Sequence, residues 1–110
     1  MIRNLILSPE YRDFERNLPE RARLKLLYAL NILETITPLS RKFVKKLTNT
    51  DFYELRITVD HEIRVILFAI DNDNINLASK VILLNGFIKK STKDYNKEIQ
   101  KATSILKNLL

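Results

Sequence analysis

The sequence predicts an α+β fold: one curved antiparallel sheet with an N-terminal helical hairpin and a C-terminal helix, in the order β-α-α-β-β-β-β-α. Three observations carry this. Apolar residues recur at helical spacing up to about residue 36. After Ser40 the period changes from 3.6 to 2. From Tyr95 onward it is helical again. Strand runs that follow helix runs place the helices on one face of a sheet.

Ile2 to Leu7 is apolar enough for a short first strand. Ser8-Pro9 then starts a helix, with Ser as N-cap, Pro at the first helical position and Glu10 in the first turn. Tyr11, Phe14 and Leu18 carry that helix to about Asn17. Leu18-Pro19-Glu20 breaks and restarts the chain. Ala22, Leu26, Leu30 and Leu33 share one face of a longer helix, from about Pro19 to Ile36, and Pro38 stops it. Phe43 to Leu47 is a short strand. Tyr53, Leu55, Ile57 and Val59 alternate with Glu54, Arg56 and Thr58, as in a half-buried strand. Asp60-His61-Glu62 is a polar turn. Ile63 to Ile70 is apolar and β-rich apart from Arg64, as a central strand is. Asp71 to Asn74 is a turn, and Val81 to Leu84 anchors a strand ending near Asn85-Gly86. In the last helix Tyr95, Ile99, Ala102, Leu106 and Leu109 form the apolar stripe, with Lys93, Lys97 and Lys101 opposite. The stretch Asn74 to Lys80 extends the hairpin before the last strand.

Residues 1–110 read as a single domain, with 45% hydrophobic and 29% charged residues. Composition removes much chemistry at once. No cysteine means no disulfide scaffold, thiol nucleophile or Cys-based zinc site. One histidine excludes a multi-histidine metal site, and one glycine leaves no phosphate-cradling loop. No apolar run is long enough for a signal peptide or a membrane span, so a cytoplasmic location is expected. The net charge of +6 suits an acidic partner such as nucleic acid. It is unevenly placed: residues 1–40 hold six basic and five acidic residues, residues 41–110 thirteen and eight.

Two basic constellations stand out. Odd-length hairpin loops pair positions of like parity. In those registers Arg56 and Arg64 face the same side of the sheet. Either each pairs with a carboxylate such as Glu54 or Glu62, or the two guanidinium forks clamp a phosphate. The second constellation is Gly86-Phe87-Ile88-Lys89-Lys90-Ser91-Thr92-Lys93, an aromatic and three lysines at the entry to the last helix. Such a cluster suits RNA, with lysines on phosphates and the ring on an unpaired base; equally it is a solvated loop beside a buried Phe. Arg41-Lys42 and Lys45-Lys46 could line the same surface. His61 reads as an exposed turn residue. Asp71-Asn72-Asp73-Asn74 fails as an EF-hand, because Asn76 and Ile82 stand where Gly and Glu are needed.

Phe52-Tyr53-Glu54-Leu55-Arg56, Ile63-Arg64-Val65, Leu83 to Lys93, Glu98-Ile99 and Ala102 together resemble the HigB-type toxins of the phage-derived Gp49-like family. These belong to the RelE/ParE superfamily of type II toxin–antitoxin systems. The resemblance spans essentially the whole chain, including the Leu18-Pro19 break.

It implies a RelE-like fold and a metal-independent, cofactor-free endoribonuclease that cleaves mRNA in the ribosomal A site. The implied partners are the ribosome, mRNA and a helix-turn-helix antitoxin of the HigA type. By the resemblance, Arg56 and Arg64 stabilise the transition state, and Lys89 and Lys90 bind substrate, donate a proton or act as the base. Phe87 matches an aromatic that could hold a base; with it, Lys93, Lys45 and Lys46, from the basic runs above, are the candidate substrate-binding residues. In related RelE toxins a tyrosine near the last helix assists catalysis; Tyr95 is the only candidate there, and its position on the apolar stripe argues for core packing. The chain departs from the pattern at Asn85, where many members have His, and at Asp94-Tyr95, where a proline often precedes the last helix. Two alternatives share the fold: a ParE-like gyrase inhibitor, and a degenerate toxin that only binds its antitoxin.

Overall fold

The computed structural model describes residues 2–110. The elements are β1 (Asn4–Leu7), α1 (Pro9–Arg16), α2 (Glu20–Thr35), β2 (Val44–Lys46), β3 (Tyr53–Val59), β4 (His61–Ala69), β5 (Lys80–Lys89) and α3 (Asp94–Leu109). Their kinds and order are those expected. The sheet order is β1-β5-β4-β3-β2. Among the described residues no helix is long and apolar enough to cross a membrane.

The structure modifies the expected sheet in two ways. It is mixed, because β1 pairs in parallel with β5, while the other pairs are antiparallel. Helices also cover both faces. Leu55, Ile57, Val59, Ile63, Val65 and Leu67 line one face and pack with Leu26, Ala29, Leu30 and Leu33 of α2. On the other, Ile66, Ile82 and Leu84 pack with Ala102 and Ile105 of α3. The unbroken apolar run of β4 is the signature of burial on two sides.

The second face is apolar only at one end. Toward the β3–β4 hairpin it carries Glu54, Arg56, Thr58, Glu62 and Arg64, and α3 leaves part of that end uncovered. The site lies there.

Ser8 links the first turn of α1 to β5. Its hydroxyl accepts from the Tyr11 N–H at 2.9 Å and donates to the Leu84 carbonyl at 2.6 Å. Leu84 sits at a bulge: Ile66 pairs with Asn85, but Leu67 pairs with Leu83. The extra residue reverses the parity of β5, so Phe87 and Lys89 join the α3 face. Without it they would share the face of Val81 and Leu83.

The residues after β4 do not extend the hairpin. Ile75 and Ala78 turn back into the α1–α2 core. Asp71 holds the return by accepting from the Ser79 hydroxyl and the Ser79 and Lys80 amides. Arg3, fully buried, ties the same segment to the end of α2. Its guanidinium donates to the carbonyls of Ile75, Leu33 and Ile36 and to the Thr37 hydroxyl.

Candidate active site

The β3–β4 register places Arg56 directly opposite Arg64, as the parity of the hairpin requires. Asp60 forms the tip with a φ of 61°, which Asp tolerates, and His61 is exposed. Each arginine has its own carboxylate. Arg56 Nε lies 3.4 Å from Glu54 Oε1, and Arg64 Nη2 lies 3.2 Å from Glu62 Oε1. Separate counter-charges remove the repulsion that two facing cations would otherwise suffer.

The two arginines are not equivalent. Arg64 is 2% exposed, and Arg56 retains 33% of its side-chain surface. Each nitrogen of the Arg64 guanidinium has a partner: besides Glu62 it donates to the Ile63 carbonyl at 3.1 Å and to the Tyr95 hydroxyl at 3.2 Å. As it stands, Arg64 holds the Tyr95 hydroxyl from within the core and does not line the groove. An alanine there would open a cavity as well as remove a charge.

Tyr95 sits in the first turn of α3 and is half-buried. Its ring meets Phe87 edge-on, with centroids 5.5 Å apart, and Lys89 Nζ lies 5.7 Å from its centre. Burial and the neighbouring Glu54 carboxylate push its phenol above the ordinary value, against the pull of Arg64. The hydroxyl therefore stays protonated at neutral pH. Packing and a polar role coexist, because the body of the ring is apolar and its tip is wet.

The groove in front of Tyr95 has a volume of about 360 Å³. Lys45, Lys46, Arg56 and Lys89 supply its positive charge, and Glu54 forms its floor. Glu54 is buried on the sheet. Oε1 meets Arg56, and Oε2 has no hydrogen-bond partner among the described residues. On sequence grounds Glu54 served only as a counter-charge to Arg56. The signal for more was available: an acidic residue in a strand that otherwise buries its neighbours.

The remaining expected residues are placed as follows. Phe87 is 8% exposed and packs in the α3 core, so its faces are closed to a nucleobase. Lys90 and Lys93 are exposed in the turn before α3 and do not line the groove. That turn is held by Asp94, whose carboxylate accepts from the Lys90 and Ser91 amides. These bonds keep the Asp94 carboxyl below its ordinary value. Lys45 pairs across β2–β3 with Glu54, and Lys46 with Tyr53, so the two point to opposite faces. Asn85 lies outside the groove lining. Its amide donates to the Glu98 carbonyl and carboxylate at 3.2 and 3.0 Å, clamping α3 one turn beyond Tyr95.

The fold is shared with solved toxin structures from E. coli. A RelE toxin carrying two arginine substitutions, in the free state, aligns with a TM-score of 0.63 and 16% identity, over 92% of this chain and 98% of that one. The intact RelBE toxin–antitoxin complex aligns with a TM-score of 0.57 and 19% identity, over 79% of this chain and 96% of that one. The isolated RelE toxin gives 0.51 and 14%, over 88% and 95%. Among curated proteins no relative matches the sequence. Fold and topology thus define an α+β protein with a RelE-like fold. Within that class, the chain belongs to the family described as phage derived protein Gp49-like, which matches residues 13–107.

Proposed function

We propose that this protein is the toxin of a type II toxin–antitoxin pair, of HigB type, and that it cleaves mRNA in the ribosomal A site without a metal. The observation that carries the reading is the basic groove of Lys45, Arg56 and Lys89, closed by Tyr95 above a buried carboxylate with one unpaired oxygen. The likeness to RelE toxins supports it.

In this mechanism the ribose 2′-oxygen attacks the adjacent phosphorus, and its proton passes to the Glu54 carboxylate, which turns an oxygen up from the groove floor to take it. Tyr95, which accepts from Arg64 and keeps its own proton, gives that proton to the departing 5′-oxygen. The products are a 2′,3′-cyclic phosphate and a 5′-hydroxyl. Arg56 and Lys89 face the charge that builds on the phosphoryl oxygens. A carboxylate with a free oxygen fits the base better than a lysine, which must first lose its own proton. Lys90 and Lys93, outside the groove, would hold the RNA backbone further along.

The proposed partner is a helix-turn-helix antitoxin of the HigA type. The outer face of α2 leaves Leu24, Leu27 and Tyr28 exposed at helical spacing, an apolar surface that a partner would cover.

Glu54→Gln keeps the shape of the floor and removes the base. The cleavage rate on programmed ribosomes is expected to fall by about 10²–10⁴-fold, the usual worth of general acid–base catalysis. Tyr95→Phe should fall into the same range. A Glu54→Gln variant that cleaves at the wild-type rate would sink the mechanism.

A further inference from the structure

A second groove, of about 490 Å³, lies on the opposite face of the sheet edge. Arg41, Tyr53, Asn74 and Asn76 line it. It shares Lys45 and Lys46 with the groove of the candidate active site. The sharing follows from the sheet. β2 is an edge strand only three residues long, and the alternation of its side chains sends neighbouring lysines to opposite faces. Two positively charged grooves are therefore joined around a free edge by one pair of lysines.

The cations along this path are unpaired. Arg41, Lys42, Lys45 and Lys46 are all exposed, and none enters an ion pair among the described residues. No acidic residue occurs between residues 41 and 50. Lys46 Nζ donates to the Thr50 carbonyl and lies 5.7 Å from the centre of the Tyr53 ring. Asp51 and Asp73 lie near Lys46 in a separate depression beyond it, and Glu54 shares the first groove with it. The asparagines add donors: Asn74 Oδ1 accepts from the Asn76 amide and Asn76 Oδ1 from the Leu39 amide. That leaves both side-chain NH₂ groups free of these contacts.

We propose that this groove is a second RNA-binding site, which takes the phosphate backbone flanking the segment held in the first groove. One strand crosses β2 over Lys45 and Lys46 and ends against Arg41 and Asn74. Cations that track a path, with amide donors and an aromatic beside them, form an electrostatic channel for a single strand. The inference rests on the RNA-cleaving reading of the first groove and adds a footprint longer than the cleaved step.

The test compares two uncleavable 2′-O-methyl RNAs, about 4 and about 12 nucleotides long, by fluorescence anisotropy in 50–200 mM salt. A poly-glutamate peptide is the third arm. Arg41 is exposed in a turn, so Arg41→Ala is expected to fold normally. It should weaken the long RNA roughly tenfold, the worth of one charge-assisted hydrogen bond. It should also lower the salt slope by about 0.7. The short RNA should bind as before, while Arg56→Ala weakens both. Unchanged binding of the long RNA by Arg41→Ala, with both RNAs lost by Arg56→Ala, overturns the second site alone. Loss confined to the peptide marks a protein-binding groove and overturns it too. Failure of the wild-type protein to bind either RNA overturns this site, while the RNA-cleaving reading falls only if mRNA on programmed ribosomes also stays intact.

Discussion

Gly86 is the only glycine in the chain, and its role lies in what it lets approach. A Cβ built there would stand 2.2 Å from Phe14 Cδ2, 2.4 Å from Cε2 and 2.8 Å from Cγ. Ordinary contact begins near 3.4 Å, so in Gly86→Ala the ring or strand must move by about 1.2 Å or more. Overpacking of this kind costs about 1–3 kcal/mol. Restricting the unfolded chain returns up to about 1 kcal/mol of it. The net loss is then about 1–2 kcal/mol, or a fall in Tm of roughly 4–15 °C for a domain of this size. Thermal unfolding followed by circular dichroism measures it. The contact is isolated by a double-mutant cycle: in a Phe14→Ala background Gly86→Ala should cost almost nothing, giving a coupling of about 1–2 kcal/mol. Additive effects would refute the close-approach explanation. The substitution should also reduce activity, because Phe87, the next residue, carries the edge of Tyr95.

Two further predictions concern the frame around the site. Arg3→Lys replaces a five-donor fork with a compact ammonium that cannot reach the Leu33, Ile36 and Ile75 carbonyls together. Urea unfolding should show a loss of about 2–4 kcal/mol, and a loss under about 0.5 would show that the clasp is dispensable. The Ser79 hydroxyl and amide, with the Lys80 amide, lower the Asp71 carboxyl from 3.8 to about 2. A depressed carboxylate contributes stability that is present above its unfolded pKa and is lost as pH falls through the folded one. Asp71→Asn should therefore flatten the acid side of the stability profile between about pH 4 and pH 2. An unchanged acid profile would show that the loop is not held by this charge.

The hairpin and its arginine pair were legible in the sequence because both follow from local parity. Arg56 opposite Arg64 needs only an odd-length turn, and the helix boundaries follow from Ser8-Pro9, Pro19 and Pro38. What was not legible depends on distant contacts. The parallel pairing of β1 with β5 joins segments more than seventy residues apart, and no local pattern encodes it. The bulge at Leu84 moved Phe87 and Lys89 to the α3 face, which alternation alone assigns to the other side. The cover on both faces was written in the continuous apolar run of β4. Glu54 was hidden because a strand glutamate two residues from an arginine reads as its ion-pair partner, which it also is. Its unpaired second oxygen exists only once α3 and the sheet have closed around it.

The central claim is RNA cleavage, and the most direct measurement maps transcript ends after the purified protein meets programmed ribosomes. The account predicts a cut within the A-site codon when ribosomes are present and an intact transcript when they are absent. Intact mRNA on ribosomes together with inhibition of DNA gyrase would contradict it, and so would intact mRNA from a protein that binds its antitoxin and does nothing else.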